Sequence, residues 1–264
     1  MIQKMITSLI FMFYFIGAVT LSAETDLSDP DRWNSAELEK IIISVKQIND
    51  PGERIVAISS YFIGTPYVAN TLKGGPQETE QLVINLSGFD CFTLLDVVEA
   101  LRRSSAIEDF QENLKNVRYR DGMVEYAKRR HFFSDWVADG AVEINDVTVD
   151  VGQSSAQSAA KQLNRKSNGT LWLPGIAVTS RDVYFIPASK IDVEVLSALQ
   201  PGDYVGIYSN RAGLDVSHTG LIVKSSDNVM LRHSSSHSGV KRVVDEDLFK
   251  YLQGKSGLIV YRAR

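Results

Sequence analysis

The stretch Ser87-Gly88-Phe89-Asp90-Cys91-Phe92-Thr93 sets the architecture of this chain, because it contains the only cysteine among 264 residues. Apolar residues follow it at the spacing of one helix face. These are Leu94, Leu95, Val98 and Leu101. The pattern predicts a helix that begins at or near Cys91.

Cys91 is either a packed thiol or a reactive one. A single cysteine forms neither an intramolecular disulfide nor a multi-thiolate metal site. By residue type alone, a free cysteine is more often a small buried apolar residue. A helix N-terminus, however, lowers the pKa of a thiol, because its unpaired amide groups favour negative charge. We therefore expect Cys91 to be a nucleophile.

The N-terminal 23 residues have the pattern of a secretory signal peptide. Lys4 precedes an apolar run over residues 5–19, and the small residues Ser22 and Ala23 end the segment. The run is short for a membrane span. We expect a periplasmic or secreted mature protein without a membrane span. Exported proteins usually pair their cysteines, so an unpaired Cys91 in that compartment favours a reactive role.

The composition is that of an ordinary soluble globular protein, with 44% hydrophobic residues, 23% charged residues and a net charge of −4. The negative balance argues against a nucleic-acid partner, whose phosphates select a basic surface. No Walker loop or dinucleotide-binding glycine fingerprint is present, and we expect no cofactor. The oligomeric state is not indicated.

Two helices are predicted within residues 34–64, where Asn34 and Asp50 are each followed three residues later by a glutamate. Pro51 suits the first position of the second helix. The other predicted elements are a short strand over 80–86, a helix within 123–130, strands over 204–208, 218–223, 229–233 and 258–261, and a helix over 245–252.

Two of the four histidines fall on one predicted hairpin. If the strands turn through residues 224–227, Val223 faces Asn228 and His218 faces His233. Opposed side chains on one face are close enough for one imidazole to orient the other. That is the logic of a nucleophile, a base and a third group. A slip of one residue in the register would send His233 to the opposite face.

The sequence gives less indication of a catalytic role for the other two histidines. His131 is expected to be structural or to face the substrate, and His237 lies in a serine-rich loop and is expected to be solvated. A zinc site built from His218 and His233 with Asp215 or His237 is an alternative. No tight zinc motif supports it, and we expect no metal.

Several short motifs resemble those of NlpC-type papain-like cell-wall hydrolases and, more closely, a related bacterial family described as N-acetylmuramoyl-L-alanine amidase-like. The resemblance covers roughly residues 50–264. The motifs that carry it are Gly64-Thr65-Pro66-Tyr67, Phe89-Asp90-Cys91-Phe92-Thr93-Leu94-Leu95, Arg129-Arg130-His131-Phe132-Phe133-Ser134-Asp135-Trp136, Leu199-Gln200-Pro201-Gly202-Asp203-Tyr204-Val205-Gly206-Ile207-Tyr208, Ser217-His218-Thr219-Gly220-Leu221-Ile222-Val223 and Arg232-His233-Ser234-Ser235.

The resemblance implies a papain-like α+β fold, with the cysteine helix packed on an antiparallel sheet that carries both histidines. Cys91 would be the nucleophile, His218 the base and His233 its orienting group. It further implies that three residues contact the substrate in the cleft. These are Tyr67, Asp90, which would bind a substrate amine, and Ser217.

The separation of Cys91 from His218 is much longer than in compact NlpC domains, so the segment between them is read as an insertion that shapes the cleft. The expected organisation is a signal peptide over 1–23 and one amidase domain over 24–264. Within that domain we expect N-terminal helices at 34–64, a core at 65–105 and 198–264, and an insertion at 106–197. Trp136 and Trp172 of the insertion either pack or stack on sugars.

The resulting functional hypothesis is a cysteine amidase acting on peptidoglycan or muropeptides, first of all on the bond between the muramoyl group and L-alanine. The main alternative is an endopeptidase that cuts between γ-D-glutamate and diaminopimelate. A zinc amidase and a non-catalytic peptidoglycan-binding module are the remaining readings.

Overall fold

The computed structural model describes residues 34–140, 142–225 and 228–264. The predicted signal peptide, residues 1–23, lies outside them. Within the described residues the helices are α1 (Ser35–Val45), α2 (Pro51–Ser60), α3 (Cys91–Arg103), α4 (Ile107–Arg118), α5 (Asp135–Ala138), α6 (Thr148–Gly152), α7 (Val193–Ala198) and α8 (Leu248–Tyr251). The strands are β1 (Ile144–Asp146), β2 (Gln157–Leu163), β3 (Thr179–Pro187), β4 (Tyr204–Tyr208), β5 (Val216–Lys224), β6 (Val229–Ser234), β7 (Val243–Asp247) and β8 (Gly257–Ala263).

The fold is mixed α+β, built on one antiparallel sheet. Its strand order is β2-β3-β8-β4-β5-β6-β7, and β1 pairs with β8. Strands β4, β5, β6 and β8 come from the last third of the chain, as predicted, and β7 from the same region was not predicted. The segment 106–197 adds β1, β2 and β3 to the same sheet, so it extends the sheet instead of standing apart from it.

Apolar side chains cover both faces of the sheet. In β4, Tyr204 packs with the cluster formed by α1 to α4, and the next residue, Val205, packs with the cluster formed around α6, α7 and α8. Side chains that alternate between two buried faces explain why β4 is buried along its whole length. The cysteine helix α3 belongs to the first of these layers.

Buried polar contacts fix the position of α3. Glu99 of α3 accepts hydrogen bonds from Arg102 at 2.8 Å and from Tyr204 of β4 at 3.0 Å. Asp96 of α3 accepts one from Arg118 of α4 at 2.8 Å. Breaking a buried charge pair leaves an unpaired charge, which costs about 3–5 kcal/mol. The helix that begins at Cys91 is therefore held at several points along its length.

The predicted caps of the first two helices are confirmed. The side-chain oxygen of Asn34 accepts a hydrogen bond from the Glu37 amide at 3.0 Å, which starts α1. Asp50 does the same for Glu53 at 2.8 Å, which starts α2, with Pro51 in its first turn. Each cap satisfies an amide that has no partner within its helix.

Three element predictions are wrong or incomplete. Residues 80–86 form no strand, and the carbonyl of Val83 accepts a hydrogen bond from the buried Arg118 at 2.6 Å instead of from a strand. Residues 123–130 contain a short 3-10 turn, Tyr126–Lys128, in place of an α-helix. In 245–252 the first residues complete β7, and only Leu248–Tyr251 is helical. None of the helices among the described residues is long and apolar enough to cross a membrane.

Candidate active site

The cysteine lies at the first position of α3, as its sequence context predicts. Asp90 caps the helix through its side chain, whose Oδ1 accepts hydrogen bonds from the amides of Phe92 at 3.0 Å and Thr93 at 2.8 Å. Thr93 returns the contact, because its Oγ1 accepts a hydrogen bond from the Asp90 amide at 3.0 Å. This capping box fixes the turn that presents a partly exposed Cys91.

Thr219 connects the cysteine to the sheet. Its hydroxyl donates to the backbone carbonyl of Cys91 at 2.9 Å. Its side chain and its amide also interact with the thiol, and both lower the pKa of Cys91. Thr219 follows His218 directly in β5, so one strand supplies a contact to the cysteine and a candidate base. The sequence gives no chemical signal for Thr219 beyond its place beside a histidine.

The backbone amide of Cys91 at the helix N-terminus lowers the pKa of the thiol, as expected, but the net shift is in the opposite direction. Burial first, and then the charge of Asp90, raise the pKa of Cys91 to about 11, against the smaller opposing effect of Thr219. Desolvation disfavours a thiolate, and a neighbouring carboxylate repels it. At neutral pH Cys91 is therefore a protonated thiol that requires a base.

The predicted hairpin exists, but its register differs by two residues. Val223 pairs with Met230 and Lys224 with Val229, and the amide of Ser225 donates to the carbonyl of Asn228 at 3.0 Å. The connection is thus shorter than the predicted four-residue turn, of which residues 226 and 227 lie outside the described residues. A shift of two keeps each side chain on its face, because strand side chains alternate with a period of two.

The two histidines consequently meet along a diagonal and not directly opposite each other. Nε2 of His218 lies 2.7 Å from Nδ1 of His233. Gly220 gives them room, because a Cβ there would lie 2.7 Å from the carbonyl oxygen of Arg232 and 3.1 Å from the Cβ of His233. The two imidazoles are therefore in contact, as expected, although β5 and β6 pair in a different register from the predicted one.

Burial keeps both imidazoles neutral. Desolvation first, and then the neighbouring His233 and the ammonium of Lys255, lower the pKa of His218 to about 3. Desolvation also lowers the pKa of His233, while the carboxylate of Glu246 opposes that effect. A neutral imidazole has one nitrogen that accepts a proton, which is what a general base requires.

Glu246 of β7 favours one of the two neutral tautomers of His233. Its Oε1 lies 3.2 Å from Nε2 of His233, although the N–H is not well aligned with the oxygen. A carboxylate only accepts, so it favours a proton on Nε2 of His233 and leaves Nδ1 as an acceptor. His218 then donates from Nε2, and its own Nδ1 remains unprotonated. The sequence pattern predicts a helix at Glu246, which lies in β7 instead, and therefore does not indicate this role.

Two tyrosines flank the cysteine. The ring of Tyr251 in α8 lies 6.0 Å from the His218 ring and 5.0 Å from the His233 ring, measured between centroids. Burial, then Glu246 and Cys91, raise the pKa of Tyr251 to about 12. Burial, then Cys91 and Asp90, also raise the pKa of Tyr67, which is half-buried. Both phenols stay protonated at neutral pH and remain hydrogen-bond donors.

A cavity of about 330 Å³, called the cleft below, brings Cys91, His218 and Ser217 together. Ser217 is exposed, and its hydroxyl donates to the carbonyl of Ile207 at 3.3 Å. The rest of the wall is largely apolar. It consists of Phe92, His131, Phe132, Phe133, Trp172, Leu173, Leu214, Asp215, Val216 and Thr219.

The middle segment supplies part of this wall. His131 lines the cleft, and its Nε2 donates to the carbonyl of Tyr126 at 2.8 Å. Trp172 also lines the cleft and is partly exposed. Trp136, by contrast, has no exposed surface and packs in the core. Of the two tryptophans, only Trp172 is placed to touch a ligand in the cleft.

The residues named for a zinc site do not converge. Both carboxylate oxygens of the buried Asp215 accept amide hydrogen bonds, from Ser134 at 2.7 Å and from Val216 at 2.8 Å. His237 is exposed. In the described part of the chain, no group of three or more His, Cys, Asp or Glu is arranged to hold a metal ion.

A mixed α+β fold that brings a thiol and an imidazole to one cleft has the form of a hydrolase. Residues 57–258 match a family model described as AmiA-like, N-acetylmuramoyl-L-alanine amidase-like. This match covers most of the sequence, and the chain belongs to that family. A comparison with curated proteins found no match.

Solved structures support the same fold. An N-acetylmuramoyl-L-alanine amidase from Bacteroides uniformis is 27% identical, with a TM-score of 0.69 over 81% of this chain and 99% of that chain. A putative xylanase from Bacteroides fragilis is 27% identical, with a TM-score of 0.64 over 77% of this chain and 98% of that one. A protein from Legionella pneumophila is 23% identical and has a TM-score of 0.71 over 87% and 94% of the two chains. At that identity the likeness concerns the fold alone.

Proposed function

We propose that this protein is a periplasmic or secreted cysteine amidase with a papain-like, NlpC-type core. Its substrate is peptidoglycan or a muropeptide, and the bond cut is the amide between the muramoyl lactyl group and L-alanine. Membership of the amidase-like family supports the reaction. The observation that carries the mechanism is the shared cleft of Cys91 and His218, with His233 and Glu246 aligned behind His218.

The first step acylates the cysteine. Nδ1 of His218 takes the thiol proton as the sulfur of Cys91 attacks the lactyl carbonyl carbon, which gives a tetrahedral oxyanion. The C–N bond then breaks, and His218 returns the proton to the nitrogen of L-alanine. The products are a muramoyl thioester on Cys91 and a peptide with a free amine.

The second step releases the sugar. His218 removes a proton from water, the hydroxide oxygen attacks the thioester carbonyl, and the C–S bond breaks with return of the proton to Cys91. The backbone amide of Cys91 and the hydroxyl of Tyr67 stabilise the oxyanion in both steps, since the next two amides of α3 donate to Asp90. The raised pKa of Tyr67 keeps that hydroxyl a donor.

His233 and Glu246 are positioning residues in this scheme. Removing the Glu246 carboxylate lets the proton of His233 move from Nε2 to Nδ1. His233 then donates to His218, whose Nε2 becomes the acceptor, and the proton shifts to Nδ1, the nitrogen proposed to accept the thiol proton. His218 is then in the wrong tautomer to act as a base.

Asp90 and Ser217 are proposed to contact the substrate. In the described part of the chain, the hydrogen bonds that cap α3 use Oδ1 of Asp90, which leaves Oδ2 for a ligand. The proposal also includes a signal peptide over residues 1–23 and a single amidase domain over 24–264, with 106–197 as the segment that shapes the cleft.

Product masses test the proposed bond. Purified protein incubated with a muramoyl tripeptide is expected to release muramic acid and an intact peptide headed by L-alanine. A muramoyl dipeptide together with free diaminopimelate would support the endopeptidase alternative and overturn the amidase assignment. The Cys91→Ala variant is the control, and product formation by it would contradict the thioester mechanism.

A further inference from the structure

A second cavity, of about 630 Å³, lies beyond Tyr251 from the cleft. It is formed by the loop before β7, by β7 itself and by the loop before β8. We call it the cationic cavity. Its lining includes His237, Arg242, Glu246, Tyr251 and Lys255.

Two basic side chains of the cavity have no ion-pair partner among the described residues. Arg242 and Lys255 are exposed, and among the described residues neither lies within ion-pair distance of a carboxylate. Of the two acids of the lining, only Asp245 pairs with a cation in the described part of the chain, whereas the neighbour of Glu246 is the neutral imidazole of His233. Asp245 pairs with Arg232 at 2.7 Å, and Glu246 lies against His233 at 3.2 Å. Within the described residues, two unpaired basic side chains therefore share the cavity with one carboxylate that has no cationic partner, which leaves an excess of positive charge.

This charge lies close to the candidate active site. The ammonium of Lys255 lies 5.1 Å from the centroid of the Tyr251 ring, which in turn packs on both histidines. The charge of Lys255 reaches His218, where it contributes to the lowered pKa. A second lysine lies beside the other tyrosine near Cys91, because the ammonium of Lys241 is 4.9 Å from the centroid of the Tyr67 ring.

The cleft and the cationic cavity therefore offer different chemistry on either side of the histidines. The cleft walls are largely apolar, and Trp172 is among them. The two halves of the proposed substrate differ in the same way. The muramoyl group is neutral once its lactyl carboxyl is in the amide, whereas the stem peptide has a free carboxylate on its γ-linked glutamate and on diaminopimelate.

We propose that the cationic cavity is a subsite for the carboxylates of the leaving peptide, with Arg242 and Lys255 as its recognition residues. The proposal rests on the proposed function and gives it a direction: the muramoyl group occupies the cleft, and the peptide extends past Tyr251. Guanidinium and ammonium groups make charge-assisted hydrogen bonds to carboxylates, which are about twice as strong as neutral ones. A stem peptide amidated at the α-carboxyl group of its glutamate loses one of these interactions.

A pair of substrates tests the subsite. Muramoyl-L-alanyl-D-glutamate and muramoyl-L-alanyl-D-isoglutamine differ only in whether the α-carboxyl group is free or amidated. We expect wild-type kcat/KM to favour the free acid by about tenfold. The variants Lys255→Met and Arg242→Gln should each reduce that preference several-fold, because they slow cleavage of the acid more than cleavage of the amide. Methionine keeps an unbranched apolar chain over Tyr251.

The preference ratio separates recognition from catalysis. Any effect of Lys255 on His218 acts on both substrates and cancels in the ratio. Lys250→Met, an exposed lysine of α8 outside the cavity lining, is the matched control and should keep the wild-type ratio. If both substrates are cleaved at the same bond with equal kcat/KM, or if the cavity variants keep the wild-type ratio, the subsite is overturned. Cleavage of neither at the muramoyl bond would instead overturn the proposed function.

Discussion

The cleft and the cationic cavity are neighbours that differ in the charge of the side chains that line them. Around Cys91 the reacting groups are neutral, since the pKa of the thiol is raised to about 11 and that of His218 is lowered to about 3. Beyond Tyr251, the basic side chains of Arg242 and Lys255 are exposed. In the proposed mechanism, proton transfer and charge recognition therefore belong to different walls of one site.

This division has a consequence for the mechanism. A thiol and an imidazole that are both neutral have no stable ion pair at rest, so in the proposed mechanism His218 removes the proton as Cys91 attacks. A general base works in this way when its unprotonated nitrogen is held toward the nucleophile. The orientation imposed by His233 and Glu246 then matters more than the resting charge of Cys91.

The largest effect is expected at the nucleophile. Cys91→Ala should reduce kcat by at least about a thousandfold, because no other group in the described cleft supplies a thiol. Cys91→Ser should be nearly as inactive, since a hydroxyl is harder to deprotonate. Circular dichroism and thermal unfolding of both variants check that the fold is kept. More than a tenth of wild-type activity in either variant would remove the cysteine from the reaction.

Replacement of Glu246 tests whether this carboxylate sets the tautomers of the two neutral imidazoles, His218 and His233. Glu246→Gln should reduce kcat about tenfold with little change in KM, because its amide can donate to His233 and stabilise the wrong tautomer. Nitrogen-15 chemical shifts of the imidazoles report the tautomer directly. Glu246→Asp keeps an acceptor and should recover part of the activity. An unchanged tautomer with unchanged kcat in Glu246→Gln would show that Glu246 does not position the pair.

Trp172 and Trp136 test which aromatic side chains of the middle segment belong to the apolar cleft. Trp172→Ala should reduce kcat/KM about fivefold, the effect expected for loss of one aromatic contact. Trp136→Phe should instead lower the free energy of unfolding by about 2 kcal/mol with kcat/KM nearly unchanged, because Trp136 is fully buried in the core. The reverse assignment, with loss of stability at Trp172 and loss of activity at Trp136, would contradict this account of the cleft.

The smallest expected effect is that of pH. With His218 titrating near 3 and Cys91 near 11, kcat/KM should stay level between about pH 5 and about pH 9. An acidic limb at the ordinary histidine value of 6.5 would contradict the neutral-pair description. The lowered pKa of His218 also means that the unfolded chain binds an extra proton below pH 6.5, so stability falls as the pH falls toward 3. Folded protein must therefore be confirmed at each pH.

Local signals in the sequence predicted the start of the site. The caps at Asn34, Asp50 and Asp90 and the position of Cys91 depend on residues a few positions apart, and all are found. The hairpin was placed correctly, and its alternation set the shared face of the histidines. Its register depended on the length of the turn, which the sequence pattern did not determine.

The remaining features depend on contacts between distant segments. Residues 80–86 alternate like a strand, but Arg118 takes the place of a partner strand at Val83. The sign of the Cys91 pKa shift follows from burial, which only the assembled fold determines. Thr219 and Glu246 carry no motif, and each becomes relevant only when the sheet brings it to a neighbour of the site.

The central claim is that Cys91 carries a muramoyl thioester during the reaction. Hydroxylamine added during turnover of a muramoyl tripeptide competes with water for that thioester, and mass spectrometry identifies the product. We expect muramoyl hydroxamate, in an amount that rises with hydroxylamine concentration, and none from Cys91→Ala. A hydroxamate of the alanyl-glutamyl unit, or continued release of muramic acid with no hydroxamate at all, would contradict the claim.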